Sequence, residues 1–161
     1  MREKQPLSDA PDIVALPPLI WLAALLLAGL LEWLLPLGLL PPPLSLAASA
    51  PGTLMLAAGI GIAVAGAMAF RRAGTNIHPR HPALVLVEKG PYRFTRNPMY
   101  LGLLLALPGI GLIASLDWAI PLVLPLWLVL HHGVVLREEA YLSAKFGAPY
   151  DAFRARTRRW L

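Results

Sequence analysis

The chain has 161 residues, of which 57% are hydrophobic and 14% charged, with a net charge of +5 and no cysteine. Soluble domains carry about 25% charged residues, so this is a membrane composition, and one compact domain is the default at such a length. The lack of cysteine excludes disulfides, thiolate catalysis and cysteine-based zinc or iron–sulfur sites.

In chain order, residues 1–15 read as a polar tail. They are mixed in charge, and the apolar run after them is too long for the core of a cleaved signal. Four apolar stretches follow, at 16–40, 54–70, 99–116 and 118–136. A helix needs about 20 apolar residues to cross a bilayer, which predicts an all-α polytopic bundle of about four transmembrane helices. The third and fourth form a hairpin turned at Asp117, with a re-entrant pair as the alternative because Pro108, Pro121 and Pro125 can kink or shorten them. The whole chain, 1–161, is read as one domain. It consists of the tail, two spans up to residue 70, a loop at 71–98, the hairpin at 99–136 and an amphipathic helical tail at 137–161.

Residues 36–52 form an uncharged, proline-rich connection. In the second stretch Ala57, Gly61, Ala65 and Ala69 recur every four residues, a spacing that lets a neighbouring backbone approach. Gly59-Ile60-Gly61 is no dinucleotide fingerprint, since it lies inside a membrane helix. In the loop, the His-Pro pairs at 78–79 and 81–82 disfavour regular helix, and 83–90 reads as a short extended piece. The tail reads as two helical pieces broken at Gly147-Ala148-Pro149. Its Tyr141, Leu142, Phe146, Tyr150, Phe153 and Trp160 face the membrane interface or the bundle.

The fourteen Lys and Arg fall in three segments: Arg2 and Lys4, then Arg71 to Arg96, then Arg137 to Arg159. Four spans put these segments on one face. The positive-inside rule makes that face cytoplasmic, with both termini, in a bacterial inner membrane. Topology thus accounts for the basic excess, and no nucleic-acid partner is implied.

The chemistry concentrates in two stretches. In "GPYRFTRNPMYLG" (90–102), Asn97 suits an N-cap and Pro98 the first helical position. The helix starting near Met99 would offer its N-terminus to an anion, beside Arg93 and Arg96. Tyr100 and Gly102 fall on its first turn. The second stretch, Arg137-Glu138-Glu139, sits at a helix end where ionisable groups need partners. Glu138 and Glu139 would approach Arg96, Tyr100 and Gly102 across the hairpin, either as a surface ion pair or around a zwitterionic or cationic ligand. His131 and His132 precede the glutamates by seven residues. That spacing is not a compact metal-ligand pattern, so packing or polar lining is expected and no metal. Glu32 reads as snorkelling or helix-paired.

Together "GPYRFTRNPMYLG" and "REEAYLSAKFGAPYDAFRARTRRWL" (137–161) resemble the isoprenylcysteine carboxyl methyltransferase and phospholipid methyltransferase superfamily, from about Gly74 to Leu161 and including "GTNIHP". The resemblance implies S-adenosylmethionine as methyl donor, bound at the basic ends of the last helices. It implies a first cofactor wall of Tyr92, Arg96, Asn97, Tyr100 and Gly102 and a second of Glu138 and Glu139. Arg137 and Asn97 are then the candidate catalytic residues, Arg137 orienting an anionic or lipidic substrate. Asn97 stands where carboxyl methyltransferases carry histidine, and "NPMY" is closer to phospholipid methyltransferases. The "FGxxYxxF" tail leans the other way, which leaves the lipophilic acceptor open: a prenylated carboxylate, an amine headgroup or a related lipid. Two other functions compete: a small proton-coupled transporter using Glu32, and a nicotinamide-dependent membrane reductase.

Overall fold

The computed structural model describes residues 9–161, so Arg2 and Lys4 of the tail lie outside the described residues. Among the described residues the regular elements are all helical: α1 (Pro17–Leu34), α2 (Leu46–Ala73), α3 (Pro98–Ala114), α4 (Val123–Leu130), α5 (Leu136–Phe146) and α6 (Ala148–Arg156). A π turn, His131–Val135, joins α4 to α5 without a break. The resulting rod runs from Asp117 to Phe146 and, with α1 and α2, makes three helices long and apolar enough to cross a membrane.

Two expected stretches are trimmed. The first stops at Leu34, short of residue 40, because Pro36 has no N–H with which to continue a helix. The third is only 17 residues and ends at Ser115, whose left-handed backbone lets the Leu116 amide close back on Gly111 at 2.9 Å. The fourth extends beyond its expected end at residue 136, since Arg137 and the glutamates are good helix formers. The break expected at residues 147–149 is present. Gly147 takes φ +57° and Pro149 opens α6.

α2 and α3 make the closest pairing, and it uses a different face from the one expected. Gly61 is exposed with open space around it, and Ala57 is exposed too. The buried glycines are Gly52, Gly59 and Gly66, seven residues apart. A Cβ on Gly59 would lie 2.6 Å from the Gly102 carbonyl, and one on Gly52 would lie 2.7 Å from the Gly109 carbonyl. One heptad of glycine on each helix, Gly52 and Gly59 against Gly109 and Gly102, thus faces the other along an antiparallel seam where backbone meets backbone, while Gly66 packs on Met99 and Pro98. The rest of the core, with Leu107, Leu130, Val134 and Val135 fully buried, joins α3 to the α4–α5 rod.

At the end of the bundle opposite the glutamates, Asp117 is buried. Its carboxylate accepts the amides of Leu39 at 3.0 Å and Leu40 at 2.8 Å. Those two bonds and Trp118 Nε1 to the Leu35 carbonyl, 2.8 Å, tie down the proline-rich connection. Glu32 lies at this same end, far from the glutamate pair, with Oε2 buried and without a hydrogen bond.

Candidate functional site

Pro98 opens α3 at the expected place, but Asn97 does not cap it. Its Nδ2 donates instead to the Arg159 carbonyl at 2.9 Å, and its own amide donates to Thr95 Oγ1 at 3.2 Å. Upstream, Gly90 at φ +65° and Pro91 set a 3₁₀ turn, Gly90–Arg93. This turn swings Tyr92 inward against Phe70, ring centres 5.3 Å apart. Tyr92 joins Val87, Tyr150 and Phe153 in a second, smaller core.

The loop before it makes no ladder. Its backbone is satisfied by side chains: Thr75 Oγ1 accepts Leu84 N at 2.9 Å, and Tyr141 Oη accepts Ala83 N at 3.0 Å. The loop therefore arches over the ends of α3 and α5 and leaves a cavity of about 860 Å³, open mouth included. The lining includes Tyr92, Arg96, Asn97, Tyr100, Glu138 and Glu139, with Phe70, Leu86, Leu142 and Phe153 on its apolar side and His78 and His81 in the loop.

The two glutamates divide their work. Glu138 receives the Tyr100 hydroxyl at 2.6 Å on Oε1, and its Oε2 has no partner among the described residues. Glu139, only 8% exposed, is held by two arginines. Arg96 NH2 reaches Oε1 at 2.9 Å, Arg159 Nε reaches Oε1 at 2.9 Å, and Arg159 NH2 reaches Oε2 at 2.8 Å. Glu139 also keeps the Arg159 guanidinium more firmly protonated than usual. A buried carboxylate needs such pairing; removing one partner from a buried ion pair costs about 3–5 kcal/mol. Arg96 NH1 donates to the Arg154 carbonyl at 3.2 Å, while its Nε is buried with no acceptor.

The phenols of the second core are protonated donors throughout the neutral range. Burial, then the Glu138 charge, raises Tyr92 far above an ordinary phenol, and burial pushes Tyr150 up to about 12.

Other expected residues stand apart. Gly102 does not line the cavity, because its bare face is used against Gly59 and Ala63 of α2. Arg137 points away: its NH1 donates to the Asp12 carbonyl at 2.8 Å and lies 3.5 Å from the Asp12 carboxylate. His131 stacks on Trp127 at 5.2 Å and accepts the Trp160 indole at 3.3 Å, so it packs, as expected. The tail's Tyr150 and Phe153 pack on the cavity core. Arg159 escaped notice in the sequence, where it was counted with the basic flank. The clue was that two adjacent carboxylates at a helix end require more cation than Arg96 alone.

A family model described as phospholipid methyltransferase matches residues 47–149. No curated protein and no solved structure matches.

Proposed function

The chain belongs to the phospholipid methyltransferase family, and we propose that it transfers a methyl group from S-adenosylmethionine to a lipophilic acceptor that reaches the cavity from the bilayer. The observation that carries this reading is that a guanidinium, Arg96, and a carboxylate bonded only through Oε1 to Tyr100, Glu138, line one cavity. A zwitterionic amino-acid moiety answers both, its carboxylate to the arginine and its ammonium to the glutamate. The faces of Tyr92, Tyr100 and Tyr150 suit a sulfonium.

When bound, the donor supplies an electrophilic methyl carbon on a sulfur that leaves as a neutral thioether. The chain's residues contribute position and dryness. Arg96 and Glu138 anchor one end, Tyr100 holds Glu138 in place, and the loop with Leu86 and Val87 keeps water from the reacting atoms. A carboxylate head presented in line with the methyl carbon then needs no further chemistry from the protein than orientation, whereas an amine head must first lose its proton. The basic residues gathered at this end of the bundle support a cytoplasmic position for the cavity.

Calorimetric titration of the purified protein with S-adenosylhomocysteine should show one saturable site; no binding would overturn the reading. Lipid extracts from cells supplied with methyl-labelled methionine should carry label that depends on this chain, and the labelled species identifies the acceptor.

A further inference from the structure

A second opening lies on the far side of the loop from the cavity. On α2, Ile60, Val64 and Met68 are exposed at intervals of four residues, so one face of the helix is turned to lipid. That face runs into a groove between Ala65, Met68, Ala69 and Arg72 of α2 and residues 85–91 of the loop. The groove holds about 1260 Å³, open mouth included. From Ala65 to Arg72 it follows the helix for about 10 Å, at 1.5 Å per residue. Leu84 and Val85 of the loop are exposed beside it, an apolar surface that belongs against lipid.

The floor of the groove is apolar and its rim is charged. Arg72, Glu88 and Lys89 stand there. Glu88 is already neutralised by Arg156 at 2.7 Å. Arg72 and Lys89 have no ion pair among the described residues. Arg71 shares the last turn of α2 with Arg72 but does not line the groove. The positive-inside pattern accounts for a cation at this helix end. It does not account for two unpaired cations on facing elements above one apolar groove.

Only one backbone separates the groove from the donor cavity, since Val85, Leu86 and Val87 line both. An anion held at the rim is therefore held outside the cavity. A lipid whose anionic group is itself methylated would be stopped there, short of the donor. A phosphodiester lipid would not, because its head continues beyond the phosphate.

We propose that this groove seats the acceptor lipid: a chain lies along Ala65 and Met68, a phosphodiester sits between Arg72 and Lys89, and the head passes over residues 85–87 into the cavity. The acceptor role rests on the methyl-donor reading of that cavity; the lipid seat is tested without it.

Native mass spectrometry of the protein in detergent counts bound lipid directly. Dioleoyl phosphatidylglycerol should saturate one site. Arg72→Gln and Lys89→Gln should each weaken that site about fivefold, the contribution of one basic residue facing an anionic lipid. Ala65→Leu, which narrows the floor without changing charge, should weaken it as well, and Arg71→Gln should leave it within twofold. Diolein, which has no phosphate, should bind more weakly and ignore both charge changes. Affinity for S-adenosylhomocysteine should be the same in all four variants. An equal loss in Arg71→Gln and Arg72→Gln means that the basic face attracts anionic lipid at large, and overturns the proposal. So does unchanged lipid affinity in Arg72→Gln and Lys89→Gln. N-acetyl-S-farnesylcysteine displacing phosphatidylglycerol from the site at lower concentration would hand the groove to a prenylated carboxylate, and overturns it too. Failure of the unsubstituted protein to bind S-adenosylhomocysteine, with the lipid pattern intact, would instead remove the methyl-donor reading and leave the lipid seat standing.

Discussion

The α2–α3 seam and the polar cavity lie a few turns apart on the same helix and are held by opposite means. Along the seam the closest approaches are backbone to glycine: Gly59 faces Gly102, and Gly52 faces Gly109. At the mouth of α3 the contacts are long, charged and shared, with Glu139 bridging Arg96 and Arg159. A seam of this kind tolerates no added atom, because helices in contact at the backbone have no flexible side chain to yield. The polar end tolerates volume better but not loss of a partner. Gly102 marks the boundary. It belongs to the seam, although it stands two residues from Tyr100, which belongs to the cavity.

That boundary predicts the largest effect. Gly102→Leu forces α2 and α3 apart and should lower stability by about 3 kcal/mol or more, the upper range for overpacking. Thermal unfolding in detergent would report it. Gly61→Leu, on the outward face of α2, should leave the unfolding temperature unchanged. Equal effects at the two glycines would mean that the seam does not run where Gly52, Gly59 and Gly66 place it.

The same pair of regions shows what a sequence can disclose. Local chemistry was legible: Pro98 begins α3, Gly147 and Pro149 break the tail, and both follow from dihedral preferences of single residues. The membrane-helical class followed from composition. The seam was misread because α2 offers small residues in several registers, and a four-residue spacing hid the seven-residue one. Gly102 and Gly109 on α3 carry the matching seven-residue interval, and comparing the two helices would have selected the right face. The cavity was legible as a list, since Tyr92, Arg96, Tyr100, Glu138 and Glu139 all line it. Its wiring was not. Arg159 reaches Glu139 only because an extended segment pairs with residues 95–97, a long-range event that no periodicity announces. Asn97 looked like a cap for the same reason, its amide being taken by a carbonyl 62 residues away.

The next effect down concerns ligand rather than fold. Glu138→Gln keeps the shape of the carboxylate and still accepts from the Tyr100 hydroxyl, but it no longer offers a negative oxygen to the cavity. Affinity for S-adenosylhomocysteine should fall by about tenfold or more, as expected when a charge-assisted bond of about 1.5–3 kcal/mol is lost. The unfolding temperature should hold or rise slightly, because a half-buried carboxylate with no cation bound to it among the described residues is replaced by a neutral amide. A large drop in stability with unchanged affinity would move Glu138 out of the site and into the scaffold, and would make the polar end resemble the seam after all.

The smallest effect tests a residue that belongs to neither region. Arg137 directly precedes the glutamates in sequence, yet helical rotation carries it to the outer side of the rod, where it meets Asp12 of the N-terminal segment. That segment is docked there for a structural reason. Gly133 in the π turn leaves its carbonyl to accept the Val14 amide at 3.1 Å, and its missing side chain makes room for Val14. Pro11, next to Asp12, lines the cavity. The Arg137–Asp12 pair is exposed, and such pairs contribute about 0–1 kcal/mol. Arg137→Gln should therefore cost little stability and leave S-adenosylhomocysteine affinity within twofold. The methyl-transfer KM for the acceptor then decides its part: a rise of threefold or more gives Arg137 a hand in holding the acceptor's head, and an unchanged KM confines it to fastening Pro11 beside the cavity, the outcome its present contacts predict.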